Sequence, residues 1–126
     1  MLRLDYQTPA NQSLWIAKRF PGLFLYTRIV LNILTASRRC SMNAYTLDKK
    51  IASSSGILKT LEHIGAHVSV KNMSAFIDLK APCVFVANHM SALEAFILPC
   101  VIMPYRKITF VVTKSLTRYP FLIHSI

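Results

Sequence analysis

Residues 83–103 read as a strand that turns directly into a helix. Cys83-Val84-Phe85-Val86 is short and rich in β-branched and aromatic residues, the composition of a buried strand. Ala87-Asn88-His89-Met90 follows it, and Ser91 then opens a second apolar stretch, Ala92 to Met103, of helical length. Ser91-Ala92-Leu93-Glu94 has the S-x-x-E spacing of a capping box, in which the glutamate bonds back to the serine amide. His89 therefore stands where a strand ends and a helix begins. Open α/β sheets bind their ligands at such junctions.

The rest of the chain is read from that junction. Thr46 is an N-cap candidate for a helix over Leu47–Ile64, with Leu47, Ile51, Leu58 and Leu61 on one face. Gly65 falls where a left-handed residue closes a helix. A strand over Ala66–Lys71 comes next, Val68 and Val70 alternating with polar residues. A loop or short helix spans 72–82, and after the motif helix Pro104-Tyr105-Arg106-Lys107 makes a basic turn into a strand over Ile108–Val112. Strands alternating with helices predict an α/β fold: N-terminal helices, then a small layered sheet. Three strands make a thin sheet with an open edge, so the isolated chain is expected to be marginally stable or to need lipid or detergent.

The N-terminal third differs in character. Residues 1–12 are polar and irregular and predict a loose terminus. No apolar core follows the charged start, so no signal peptide is expected. Phe20-Pro21-Gly22 breaks the next stretch, and a helix is predicted over Leu23–Ser37. On it Arg28, Asn32, Ala36 and Arg39 share a narrow stripe, while the other faces carry Leu23, Phe24, Tyr26, Ile29, Val30, Ile33 and Leu34. The run is shorter than a transmembrane span and is interrupted by Arg28. A helix lying in a membrane interface fits it, with Trp15, Phe20, Phe24 and Tyr26 as aromatic anchors. The alternative is a core helix packed on its own domain.

Charge separates the partner classes. The 126 residues hold 15 Lys and Arg against 5 Asp and Glu, a net charge of +10, yet hydrophobic residues make up 53%. A basic and apolar chain points to an anionic membrane surface. Nucleic-acid binding is not expected. The cations come as scattered pairs, Lys18-Arg19, Arg38-Arg39, Lys49-Lys50 and Arg106-Lys107, without a recognisable nucleic-acid signature. Cys40, Cys83 and Cys100 are odd in number and widely spaced, which predicts reduced thiols and a cytoplasmic setting. His63 and His67 are four apart, but Gly65 between them ends the helix, so no metal site is expected.

With these elements in place, Asn88-His89-Met90-Ser91-Ala92-Leu93-Glu94 resembles the N-H-x4-D hallmark of the glycerolipid acyltransferase superfamily, lysophosphatidic acid acyltransferase type. Upstream, Leu61-Glu62-His63-Ile64-Gly65-Ala66-His67-Val68-Ser69-Val70 is similar to the helix, glycine and first strand that precede the motif. Downstream, Ile108 to Leu116 followed by Tyr119-Pro120-Phe121 is similar to the family's next strand and its K-x-L-x3-P segment. The likeness spans roughly residues 57 to 126. The carboxylate is Glu94 where the family usually has aspartate. The later G-x-x-F-x-x-R and F-P-E-G-T-R-S blocks of the family lie beyond Ile126, so the resemblance implies the front part of such a domain. Residues 1–45 would then be an amphipathic membrane-interface segment and residues 46–126 the acyltransferase-like part.

That resemblance implies transfer of a fatty acyl group from acyl-CoA or an acyl carrier protein to a lysophospholipid or glycerol-phosphate hydroxyl, on the cytoplasmic face of a membrane, without metal or bound cofactor. His89 would be the base and Glu94 its orienter, with Asn88, Ser91 and Lys114 contacting substrate. Histidine suits the first role because its pKa lies near neutrality, and a carboxylate on one ring nitrogen fixes which nitrogen faces the alcohol. A helix N-terminus beside it offers N–H groups to a developing oxyanion. For Glu94, capping and orienting remain open together, since a capping glutamate is also held rigidly near His89. A solvated basic loop is the other reading of Lys114.

Overall fold

The computed structural model describes residues 5–10, 13–41, 46–88, 90–91, 93–111 and 114. They form seven elements: β1 (Tyr6–Gln7), α1 (Trp15–Arg19), α2 (Pro21–Ser41), α3 (Leu47–His63), β2 (Ser69–Val70), α4 (Ser74–Ile77) and α5 (Leu93–Ile102). The fold is mixed, rich in helix, with a two-stranded antiparallel sheet.

Local chemistry sets the helix ends. The Phe20 carbonyl accepts the Phe24 N–H at 3.0 Å, while Pro21 takes the first helical position, where no N–H partner is needed. Helix α2 therefore starts two residues before the predicted Leu23 and runs on to Ser41. Helix α3 begins behind an extended Thr46 at its N-cap, whose carbonyl accepts the Lys50 N–H at 3.0 Å while its hydroxyl makes no capping bond. Its other end is a Schellman turn: Gly65 N–H donates to Glu62 O at 3.0 Å and Ala66 N–H to Leu61 O at 2.9 Å. Gly65 sits at φ +96°, the left-handed conformation that the sequence reserved for it.

Helix α3 is the centre of the molecule, packed on α2 along one side and α5 along another. The buried apolar residues are Ala17, Ala36, Ile57, Leu58, Leu61, Met73, Ile102 and Met103. Asn32 fixes the α2–α3 crossing, its amide donating to Ser53 O at 2.9 Å and accepting the Ser53 hydroxyl at 2.8 Å. Two members of the stripe predicted on α2, Asn32 and Ala36, thus face the protein. Leu23, Tyr26, Val30 and Leu34, spaced by three and four residues, point outward. None of the described helices is long and apolar enough to cross a membrane.

The sheet departs from the prediction. The terminus read as loose contributes β1, whose Tyr6 and Gln7 pair with Val70 and Ser69 of β2. Thr8 extends the ladder by one residue, exchanging backbone and hydroxyl bonds with Val68. Only Ser69–Val70 of the expected 66–71 strand is regular. The expected motif strand 83–86 does not form: residues 82–88 have no regular structure, and Val84 and Val86 are 89% and 92% exposed. A strand needs a partner for its N–H and C=O groups, and β1–β2 offers none to this segment. Edge-to-face contact of Phe85 with Phe76 and an Arg106 bond to the Ala81 carbonyl at 2.9 Å hold it instead. Residues 107–111 are likewise irregular, which corrects the described part of the predicted 108–112 strand; Val112 lies outside the described residues. Among the described residues a layered three-stranded sheet is therefore replaced by helix-on-helix packing with a small two-stranded antiparallel ribbon.

Candidate functional site

Glu94 lies in the first turn of α5 and folds back over the chain that enters it. One of its carboxylate oxygens accepts the Met90 N–H at 3.1 Å and the Ser91 N–H at 3.0 Å. The other accepts the Ser91 N–H at 3.3 Å and the Ser91 hydroxyl at 3.2 Å. Ser91 Oγ in turn accepts the Leu93 N–H at 3.1 Å. The bond from the Ser91 N–H to Glu94 is the one the S-x-x-E spacing predicts, while the Ser91 hydroxyl caps Leu93 rather than Glu94; together they satisfy donors that a helix start leaves without intrahelical partners. Hydrogen bonding from Glu94's own backbone N–H, then from Ser91 and Met90, holds the carboxyl below the usual carboxylate range, with partial desolvation opposing.

Of the other predicted site residues, Asn88, Ser91 and Lys114 are exposed. His89 lies outside the described residues, between an exposed Asn88 and a Met90 whose N–H is held by Glu94. Lys114 stands in a turn beyond residues 107–111. The described geometry therefore brings together Met90, Ser91, Leu93 and Glu94. Chemically the cluster fixes the Met90 and Ser91 N–H groups ahead of α5.

Two polar arrangements were not legible in the sequence. Buried Glu62 on α3 accepts the Tyr6 hydroxyl from β1. Burial pushes the Tyr6 phenol up from its ordinary 10.0 to about 12, with the hydrogen bond and charge of Glu62 and the Cys100 thiol adding to it. The one signal was a carboxylate beside Leu61 on the face of α3 that carries the core. Buried Ser54, also on α3, donates to the Phe96 carbonyl and accepts the Cys100 N–H at 3.0 Å. Those groups flank Pro99 inside α5. Burial raises the Cys100 thiol above its usual value. Among the described residues no group of three or more His, Cys, Asp or Glu could hold a metal.

The chain matches no family model, no curated protein and no solved structure. The likeness to acyltransferases rests on the motif residues themselves.

Proposed function

We propose that this chain is the membrane-docking and base-bearing part of an acyltransferase-like domain. It would move a fatty acyl group from acyl-CoA or an acyl carrier protein to a lysophospholipid or glycerol-phosphate hydroxyl. The observation that carries this reading is the clamp of Glu94 on the Met90 and Ser91 N–H groups. A base works only if its backbone is fixed, and Glu94 restrains the residue directly after His89. In the proposed step a ring nitrogen of His89 takes the acceptor's hydroxyl proton as the oxygen attacks the thioester carbonyl. Collapse of the tetrahedral intermediate breaks the carbon–sulfur bond and releases the thiolate, which recovers the proton. Glu94 acts as a positioning residue, and Asn88, Ser91 and Lys114 remain the candidates for substrate contact.

Membrane docking is supported by α1 and α2. Trp15 is 80% exposed and Leu23 71%, and Ile16, Phe20, Tyr26, Val30 and Leu34 extend the same apolar exposure, with Lys18, Arg19, Arg38 and Arg39 nearby in sequence. Aromatic anchors, aliphatic side chains and cations together suit an interface of anionic lipid, on the cytoplasmic face in this reading.

A second reading is favoured by the exposed, unpaired segment 82–88: a non-catalytic basic module of the membrane surface. One assay separates them. The chain bound to anionic vesicles is given lysophosphatidate and a labelled acyl donor, either acyl-CoA or acyl carrier protein. Transfer is expected, and His89→Ala should lower it by at least ~100-fold. Vesicle binding without transfer from either donor would leave the non-catalytic module.

A further inference from the structure

Between α2 and α3 lies an open apolar groove of about 600 Å³. Phe20, Leu23, Phe24 and Leu31 wall it, and Arg28 and Lys59 line it as well. Neither Asp nor Glu is among its lining residues. Neither cation has a carboxylate partner among the described residues, and both are solvent-exposed. The guanidinium of Arg19 adds charge nearby, standing 5.1 Å from the centroid of the Phe20 ring.

On α3 the groove is floored by Gly56 and by residues three, four and seven positions further on, which share one helix face. A side chain at Gly56 would meet nothing within 4 Å, so the glycine leaves open volume. Ser54, which bonds α5, projects from the opposite face. Helix α3 therefore separates the groove from Glu94 and the motif, and a ligand in the groove is independent of acyl transfer at His89.

The volume and lining are those of a ligand site: mostly apolar walls, a few polar groups, and a size within the usual range of about 300–1,000 Å³. At about 30 Å³ per methylene, close to the liquid volume of one water, a chain of roughly sixteen carbons needs about 500 Å³. One such chain fits. The pair of cations without an acid selects an anionic head. We infer that this groove binds a single long-chain fatty acid anion, its chain along the Phe20–Leu31 wall and its carboxylate at Arg28 and Lys59.

Trp15, the chain's one tryptophan, lies between groove-lining Leu14 and Ile16 and reports on occupancy. Titration of the lipid-free chain with palmitate, below its micelle-forming concentration, should give a saturable one-to-one change in Trp15 emission. Gly56→Phe, which fills the floor, and Leu31→Trp read by calorimetry, which fills the groove from α2, should each weaken binding at least tenfold. Gly56→Ala should bind as the native chain does. Arg28→Gln with Lys59→Gln should weaken palmitate at least tenfold while leaving hexadecanol, the uncharged analogue, unchanged. An absent or non-saturable change overturns the proposal, as does native-like affinity in both filled variants. Equal loss for palmitate and hexadecanol would remove the head-group assignment. Light scattering that finds a dimer abolished by Gly56→Phe would give the groove to a second copy of the chain instead.

Discussion

Ser54→Ala tests the packing of α3 on α5. Pro99 lacks the N–H that α5 would use toward Ala95, and its ring crowds that carbonyl. The next donor and acceptor in the ladder, Cys100 N–H and Phe96 C=O, are bridged by the Ser54 hydroxyl, which is 4% exposed. Alanine removes one donated and one accepted bond at a site water does not reach. At about 0.5–1.5 kcal/mol each, the two are worth about 2 kcal/mol. Alanine's better helix propensity returns roughly 0.5 kcal/mol, for a net loss near 1.5 kcal/mol. For 126 residues the unfolding entropy makes 1 kcal/mol equal to about 4 °C, so Tm should fall by about 6 °C in a circular-dichroism melt. The same substitution in a Pro99→Ala background, where α5 can close its own ladder, should cost under about 0.5 kcal/mol. Equal costs in the two backgrounds, or a native-like Tm for Ser54→Ala, would refute the bridging role.

Gly65→Ala should lose about 1–2 kcal/mol, because φ +96° strains any side chain; the Lys18 Cε that a Cβ would approach at 3.2 Å can swing away. Gly65→Asn should recover part of that loss in the same melt. The Tyr6 phenol, raised to about 12 in the folded chain, contributes stability that is complete below pH 10.0 and is lost as pH rises through about 12. Tyr6→Phe should flatten that alkaline limb of a stability–pH profile. Glu94 has the opposite sign: its lowered carboxyl stabilises above the ordinary carboxylate value, and the contribution disappears as pH falls through the lowered folded value. Amide exchange at Met90 and Ser91, compared at one fixed pH, should quicken in Glu94→Ala but much less in Glu94→Gln, which keeps an acceptor oxygen. If Glu94→Gln keeps those amides protected yet abolishes acyl transfer, the charge itself serves His89.

What could be read from the sequence was local. The break at Phe20-Pro21, the extent of α3 and the Gly65 turn follow from backbone restrictions of single residues, and the capping box from a spacing of three. The strands could not be read the same way. Cys83–Val86 has strand composition, but composition supplies only side chains; the partner for its backbone must come from elsewhere in the fold. Tyr6–Gln7, polar and near the terminus, became a strand because β2 lies beside it and Glu62 receives the Tyr6 hydroxyl, contacts more than fifty positions apart in the chain. Of the candidate site, the Glu94 clamp was legible because it is local. The groove was not, because it joins Leu31 to Gly56 across two helices.

Helix α2 carries apolar residues on two faces: Phe24, Leu25, Ile29 and Ile33 are half-buried and Ala36 is buried, yet a second apolar row stays exposed. On a water-soluble surface a helix turns its apolar stripe inward and its polar residues out. Here Asn32 is bonded twice to Ser53 at the α2–α3 contact, while Leu23, Tyr26, Val30 and Leu34 face outward. Rotating α2 to bury those four would break the Asn32–Ser53 pair and turn Ala36 out, so the polar contact and the exposed apolar face are one arrangement. At about 25 cal/mol per Å² of apolar area, four such side chains left in water forgo several kcal/mol. A bilayer interface or a partner surface would recover that energy. Replacing Leu23, Val30 and Leu34 together by glutamine should therefore leave the Asn32–Ser53 contact and the helix content intact while abolishing flotation with anionic vesicles. Unchanged flotation would mean that the cations alone hold the chain to lipid, and binding should then vanish with added salt.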